Sequence, residues 1–318
     1  MKRIPIEKAY NYYFDAELPP AIRVSLGEVF EVETEDASSG TLRGEGRLPT
    51  DENNPGYKYE PGRGNPVGGP IYVEGAEKGD LLVVEILEII PDAQGTTWIK
   101  DTVGPLADSY EWHEATTLFQ TSIKHLPGPS GTTRDGRAVV NDRMSWDLEP
   151  HIGTIATAPQ CERISSVVGQ GPWGGNMDIN DFKEGSKIYL NSYHEGGLLF
   201  VGDVHACESD TEFYGVADET RAVIKLKCDV VKDKQITPLR METDDRIIVV
   251  HSGRPLENVV KTCMVGLMDW MVKDYGISRR DAYVHAGINP NVKVHVYQMV
   301  DIGRIGFTAG VSIKKDCL

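Results

Sequence analysis

The chain has 318 residues, enough for one large domain or two intimate ones and for a full hydrophobic core without staples. Its 33 Lys and Arg stand against 48 Asp and Glu, and a net charge of −15 argues against nucleic acid or an anionic membrane surface as the partner. Five scattered cysteines without a C-x-x-C spacing exclude a disulfide framework and a zinc knuckle.

The start MKRIPIEKAYNYYF lacks a secretory apolar segment, and no apolar run is long enough to span a bilayer; a cytoplasmic location is the expectation. Residues 24–34 (VSLGEVFEVET) and 71–74 alternate apolar and polar as strands do, and 81–90 (LLVVEILEII) reads as a long β-branched strand after a turn at 77–80. Between the first two, residues 38–70 form a Gly/Pro/Asn-rich loop, expected to be an ordered flap anchored by Tyr57, Tyr59 and its arginines. Residues 91–135 read as short segments and turns. Their His113 and His125 are too far apart for a local site and read as surface or satisfied histidines. His151 opens a strand directly after Glu149-Pro150, where a rigid turn can aim it.

The stretch 171–220 carries most of the chemistry. Gly174-Gly175-Asn176-Met177-Asp178 is a glycine-rich turn presenting an amide and a carboxylate. The apolar run 198–201 then delivers Gly202-Asp203-Val204-His205. Along a strand Asp203 and His205 share a face, about 7 Å apart along the backbone, as half of a metal site would. Glu208, Asp210, Glu212, Asp218 and Glu219 follow within fifteen residues. If several were buried they would repel one another unless a cation or protons were shared among them.

Further on, 222–231 alternates and 246–251 reads as a buried strand. Residues 257–275 show the first helical stripe, with Gly276 as its stop, and Ser278 caps a second short helix. Residues 292–300 (VKVHVYQMV) close the chain as a strand with His295 on its outer face. No regular βαβ alternation occurs, so doubly wound and TIM-barrel folds are excluded. The elements sum to a β-rich α+β fold: short antiparallel strands in a sandwich- or barrel-like arrangement, with the helices near the C-terminus. It is read as a single unit over 1–318, divisible into an N-terminal β-rich part (1–145) and a second part (146–318).

The segments PIYVEGAEKGDLLVVEI, HIGTIATAP, GPWGGNMDI, GGLLFVGDVHA, GVADET and DAYVHAGINPNVKVHVYQMVD occur in the order, and cover most of the length, of the acetamidase/formamidase family, which includes γ-lactam hydrolases. The chain resembles that family. The resemblance implies a β-rich fold, hydrolysis of simple amides and, in some members, a bound divalent ion. Trp173 stands where the family commonly has His in GPHGGNMD. Residues 207–212 (CESDTE) and Leu190-Asn191 also depart from its pattern.

Amide hydrolysis needs an activated water, stabilisation of the oxyanion, and an acid for the leaving nitrogen. A zinc ion with three protein ligands and one open position supplies the first two. Asp203 and His205 are the expected ligands, with Glu212, Asp178 or His151 as the third. Glu219 or Glu212 is expected as general base and then acid. Asn176 and the backbone amides of Gly174 and Gly175 are oxyanion donors, and Trp173 lines the substrate pocket. The expected partners are a small amide and further copies of the chain in a homo-oligomer. Two rivals remain at this point: a thiol hydrolase using Cys207, and a non-enzymatic β-sandwich binding module with structural calcium held by Asp203 and the acids.

Overall fold

A computed structural model of the chain describes residues 1–54, 64–100, 103–116 and 118–318. Tyr57 and Tyr59, expected as loop anchors, lie outside the described residues, as does the side chain of His113. Among the described residues, eighteen strands join into one hydrogen-bonded sheet and two more form a small separate pair. A sheet that wide must curl and pack on itself. Pairing is antiparallel except where Lys2–Ile4 meets Val29–Thr34 and Ile22–Ser25 meets Val67–Glu74. The interior between the curled faces is apolar, built from residues such as Phe30, Val32, Ile86, Leu199, Val201, Ile224 and Leu226, all fully buried.

The long strand runs from Leu81 to Ile99, well past the expected end at residue 90. Pro91 ended that expectation because proline removes a ladder donor. The facing strand Glu219–Val231 slips its register between Thr220 and Ala222, where Ala222 faces Pro91, so an irregularity absorbs the proline. Beyond it the chain turns into Phe119–Leu126, within the stretch 91–135 read from sequence as short segments and turns, and then into the hairpin Arg137–Asn141 with Met144–Asp147. The expected strand 24–34 is two strands, Ile22–Ser25 and Val29–Thr34, with Gly27 at φ 72° in the turn between them.

Near the C-terminus, helix α1 (Leu256–Tyr275) buries Val259, Cys263, Leu267, Trp270 and Met271. This stripe of three- and four-residue steps packs on Ile247, Val249, Ala309 and Val311 of the sheet. Gly276 ends it at φ 70°, donating to the Met271 carbonyl. Helix α2 (Arg279–Ile288) starts at Ser278, whose hydroxyl accepts from the Asp281 amide. Among the described residues no helix is long and apolar enough to cross a membrane. In the strand Lys293–Gln298 the expected phase is reversed. Val294 is exposed, whereas His295 is half-buried, stacked on the buried Tyr297 and bonded to Ser312 Oγ at 2.7 Å.

The first part of the 38–70 loop is pinned by a buried carboxylate. Glu35 accepts from Arg221 Nε at 2.8 Å and Nη2 at 2.5 Å, from Tyr10 at 2.8 Å, and from Arg43. Burial would raise the Glu35 carboxyl, but the arginines and Tyr10 override it and bring it down to about 2. A depressed carboxyl stabilises the fold above its unfolded value, near pH 4.3, and that contribution is lost as pH falls toward 2. Glu35→Gln is therefore expected to cost about 2–3 kcal/mol at pH 7. The gap to wild type should shrink between pH 5 and pH 2 in urea titrations; a gap independent of pH would contradict this reading.

Candidate active site

Three neighbouring strands set the site by register. His205, at the end of Leu199–His205, lies opposite His151 of His151–Thr157 on one side and opposite Glu219 of Glu219–Val231 on the other. Asp203 sits two residues before His205. The Gly174–Asn176 strand pairs beside His151–Thr157 and carries the chain to Asp178. The loop bearing Glu212 is tied to the C-terminal part of the sheet, because Thr211 N–H donates to the Val296 carbonyl at 2.8 Å and Met299 N–H donates to the Thr211 carbonyl at 2.7 Å.

These elements bring Asp178, Asp203, His205, Glu212 and Glu219 around one cavity of about 120 Å³, walled also by Trp98, Val167, Val216, Val300 and Ile305. A dry cavity of about 150 Å³ holds benzene, so a ligand of a few heavy atoms fits. The four carboxylates and the imidazole are all buried. His205 Nε2 stands 3.7 Å from Asp203 Oδ1 and 3.6 Å from Glu219 Oε1. Four lining residues hold left-handed backbone without being glycine: Asn65, Asp178, Asp203 and Glu212, at φ 47°, 49°, 55° and 38°. Such conformations cost of order 1 kcal/mol or more each and gather at functional sites.

Gly153 makes the close approach possible. A Cβ there would sit 2.8 Å from Asp178 Oδ1, 2.8 Å from His205 Cε1 and 2.9 Å from the Asp203 carbonyl. Asp203 Oδ2 accepts from Asn65 Nδ2 at 2.7 Å and from Thr154 Oγ1 at 2.9 Å, and Gln298 donates to Asp178 Oδ2. Each of these carboxylates keeps its other oxygen without a partner: Asp178 Oδ1 and Asp203 Oδ1, like Glu219 Oε2, are buried and unbonded. Buried polar atoms are nearly always paired, so these orphans mark where something else is accommodated.

The electrostatics agree. Burial, reinforced by Asp203 and Glu208, pushes the Asp178 carboxyl well up, and burial with Asp178 and Glu208 does the same to Glu212. Burial also raises Glu219, against the pull of His205. For His205 burial acts downward, yet Glu219, Asp203 and Glu208 outweigh it and hold the imidazole well above its ordinary range. Crowded acids short of countercharge are what a divalent cation relieves. The sets Asp178–Asp203–His205 and His205–Glu212–Glu219 each place their donor atoms within 4.8 Å of one another, so the donors fit such an ion.

Other expected site residues stand elsewhere. His151 is buried behind His205, its Nδ1 3.0 Å from the Glu149 carbonyl and its Nε2 3.0 Å from Glu208 Oε2, so both nitrogens are engaged away from the cavity. Asn176 does line the cavity, but its nitrogen donates to the Val167 carbonyl at 2.9 Å, and its oxygen, 2.7 Å from Thr154 Oγ1, shares that hydroxyl's one hydrogen with Asp203 Oδ2. Gly174 and Gly175 are absent from the wall. Their φ of 101° and 132° and lack of a side chain serve the tight packing of strands, since a Cβ would fall 2.3 Å from the Ile155 carbonyl and 1.9 Å from the Gly169 carbonyl. Trp173 is not at the cavity either. It covers Gly171 and packs on the apolar group of Phe14, Ala156 and Phe200.

Cys207 fits a thiol nucleophile poorly. It is off the cavity wall, its Sγ is 3.6 Å from the Asp147 carbonyl, and burial pushes the thiol up to about 11. Cys207→Ser should leave kcat/KM within about twofold of wild type; a loss of several orders of magnitude would restore the thiol reading.

Sequence reasoning missed Asn65, Thr154, Gln298, Tyr214 and Gly153. Tyr214 lines the cavity with its hydroxyl 2.8 Å from Thr97 Oγ1. Thr154 was findable, since it follows His151 and Gly153 in a strand already singled out. His125 is a satisfied buried histidine, bonded to Asp218 Oδ2 at 3.0 Å and the Asp92 carbonyl at 2.7 Å.

The profile of the Acetamidase/Formamidase family matches residues 5–168 and 162–315. The chain belongs to that family. It is 28% identical over 267 residues to the acetamidase of Mycolicibacterium smegmatis, a match covering 68% of this chain and 64% of that protein, so it spans less than two thirds of this relative's length. Among solved structures, the acetamidase of Yersinia enterocolitica superposes with a TM-score of 0.85 at 29% identity, covering 99% of this chain and 92% of that one. The acetamidase of Bacillus halodurans gives 0.84 at 27% identity, covering 99% and 98%.

Proposed function

We propose that this chain is a metal-dependent hydrolase of a small non-peptide amide or lactam, yielding a carboxylate and ammonia or an amine. What carries the reading is the buried set of Asp178, Asp203, His205, Glu212 and Glu219 around one small cavity, with carboxylate oxygens left unpartnered. Asp203 and His205 would hold the ion, with Asp178 favoured over His151 as the third donor. The mixed carboxylate and imidazole donors favour zinc over calcium, which prefers six to eight oxygens. When bound, the ion supplies Lewis acidity toward a water and the amide carbonyl.

The side chains supply the proton transfers. Water adds to the amide carbon while Glu219 takes its proton. The same carboxyl returns that proton to the nitrogen as the C–N bond breaks, so one group serves as base and then acid. Burial raises the Glu219 carboxyl, and catalytic acids and bases are where such shifts gather. Glu212, raised in the same way, is the alternative for this role. Asn176, with its amide engaged, orients Thr154 and through it Asp203 rather than donating to an oxyanion. Asn65 and Tyr214 also line the cavity.

The test is product formation from formamide, acetamide, a longer aliphatic amide and a γ-lactam. Turnover of at least one, abolished by Glu219→Gln with folding retained, is the expected result. No turnover of any member by folded, zinc-supplied protein would instead favour a ligand-binding role.

A further inference from the structure

We propose that Glu208 is a positioning residue that decides which nitrogen of His205 faces the cavity. The inference rests on the reading above, in which His205 holds an ion at the cavity, and adds a residue that stands behind His205, off the cavity wall. The Glu208 carboxylate is buried, at 1% exposure, and does not line the cavity. Its Oε2 lies 2.7 Å from His205 Nδ1 and 3.0 Å from His151 Nε2, while Oε1 has no partner. The two imidazoles meet edge to face with centroids 5.1 Å apart.

A carboxylate oxygen accepts and cannot donate, so the imidazole nitrogen against it must carry the hydrogen. Nδ1–H on His205 leaves Nε2 with the lone pair in the neutral ring. That nitrogen is the one beside Asp203 Oδ1 and Glu219 Oε1. A carboxylate on the far nitrogen also makes the ligating nitrogen more basic and locks the ring's rotation. His151 braces the carboxylate in turn, being held between Glu208 and the Glu149 carbonyl. The two sequence-expected imidazoles thus have different tasks, His205 toward the cavity and His151 behind Glu208.

The experiment measures zinc affinity by competition with a chromophoric chelator, and the visible absorption of the cobalt-substituted protein, for wild type, Glu208→Ala and Glu208→Gln. Glu208→Ala should weaken zinc by about 10–100-fold and alter the cobalt bands. Glu208→Gln should recover part of that affinity, because an amide oxygen in the place of Oε2 still accepts from His205 Nδ1–H and faces His151 Nε2. A purely structural role would move thermal stability and leave the affinity of the folded protein alone. Should Glu208→Ala fail to fold, two-bond ¹H–¹⁵N correlations of zinc-loaded wild type decide, with His205 expected to be protonated on Nδ1. Unchanged zinc affinity in Glu208→Ala, or His205 protonated on Nε2 in the loaded wild type, overturns the inference. Wild type that takes up no divalent ion overturns the metal reading itself and this inference with it.

Discussion

Replacing His205 by alanine is expected to abolish hydrolysis while leaving the fold in place. Among the described residues the imidazole joins the four carboxylates of the cavity, and it belongs to both donor sets that face it. Its loss removes a ligand and leaves Asp203 and Glu219 facing each other without the group that offsets their charge. A loss of about 10³-fold or more in kcat/KM follows if the ion supplies several kcal/mol to the transition state. The strands around it pair through their backbones, so circular dichroism should be unchanged. Retention of full metal content and at least half the activity would remove His205 from the ligand set.

The second large effect is expected at a residue with no side chain. Gly153→Ala would put a methyl group within 2.8 Å of Asp178 Oδ1 and of His205 Cε1, with the Asp203 carbonyl 2.9 Å away. The backbone at 153 is not left-handed, so the effect is steric alone. Overpacking at a tight site costs about 1–3 kcal/mol. A shift of about 1 Å in the groups that hold reactants can cost about 10²-fold in rate. Gly153→Ala should therefore lower Tm and cut kcat/KM by about 10²-fold, with metal affinity weakened as Asp178 and His205 are pushed apart. Wild-type kinetics in this variant would mean that Asp178 and His205 do not act together.

The difference between what was legible in the sequence and what was not follows from the range of the interactions. The α1 stripe of Val259, Cys263, Leu267 and Met271 is a local period, and it gave helix, buried face and stop. Asp203 and His205 share a short motif, and both reach the cavity. By contrast, the union of His151, His205 and Glu219 is a matter of register across three strands separated by up to 68 positions, and no local pattern encodes it. The same is true of Gln298, which comes from near the C-terminus to bond Asp178. Trp173 shows the opposite failure. Its motif carries Asn176 and Asp178 to the cavity, but Trp173 itself sits in the turn before the Gly174–Asn176 strand, and that turn lays the indole on Phe14, Ala156 and Phe200 instead. His295 was misplaced because Val294 faces outward and alternation alone does not say which phase is buried.

The most direct test of the central reading is a zinc titration of chelator-stripped wild-type protein, following bound metal and amide hydrolysis together. One zinc per chain, with activity rising in step and reaching its plateau at that equivalence point, is the predicted outcome. Full activity in stripped protein, with no response to added zinc, would contradict it.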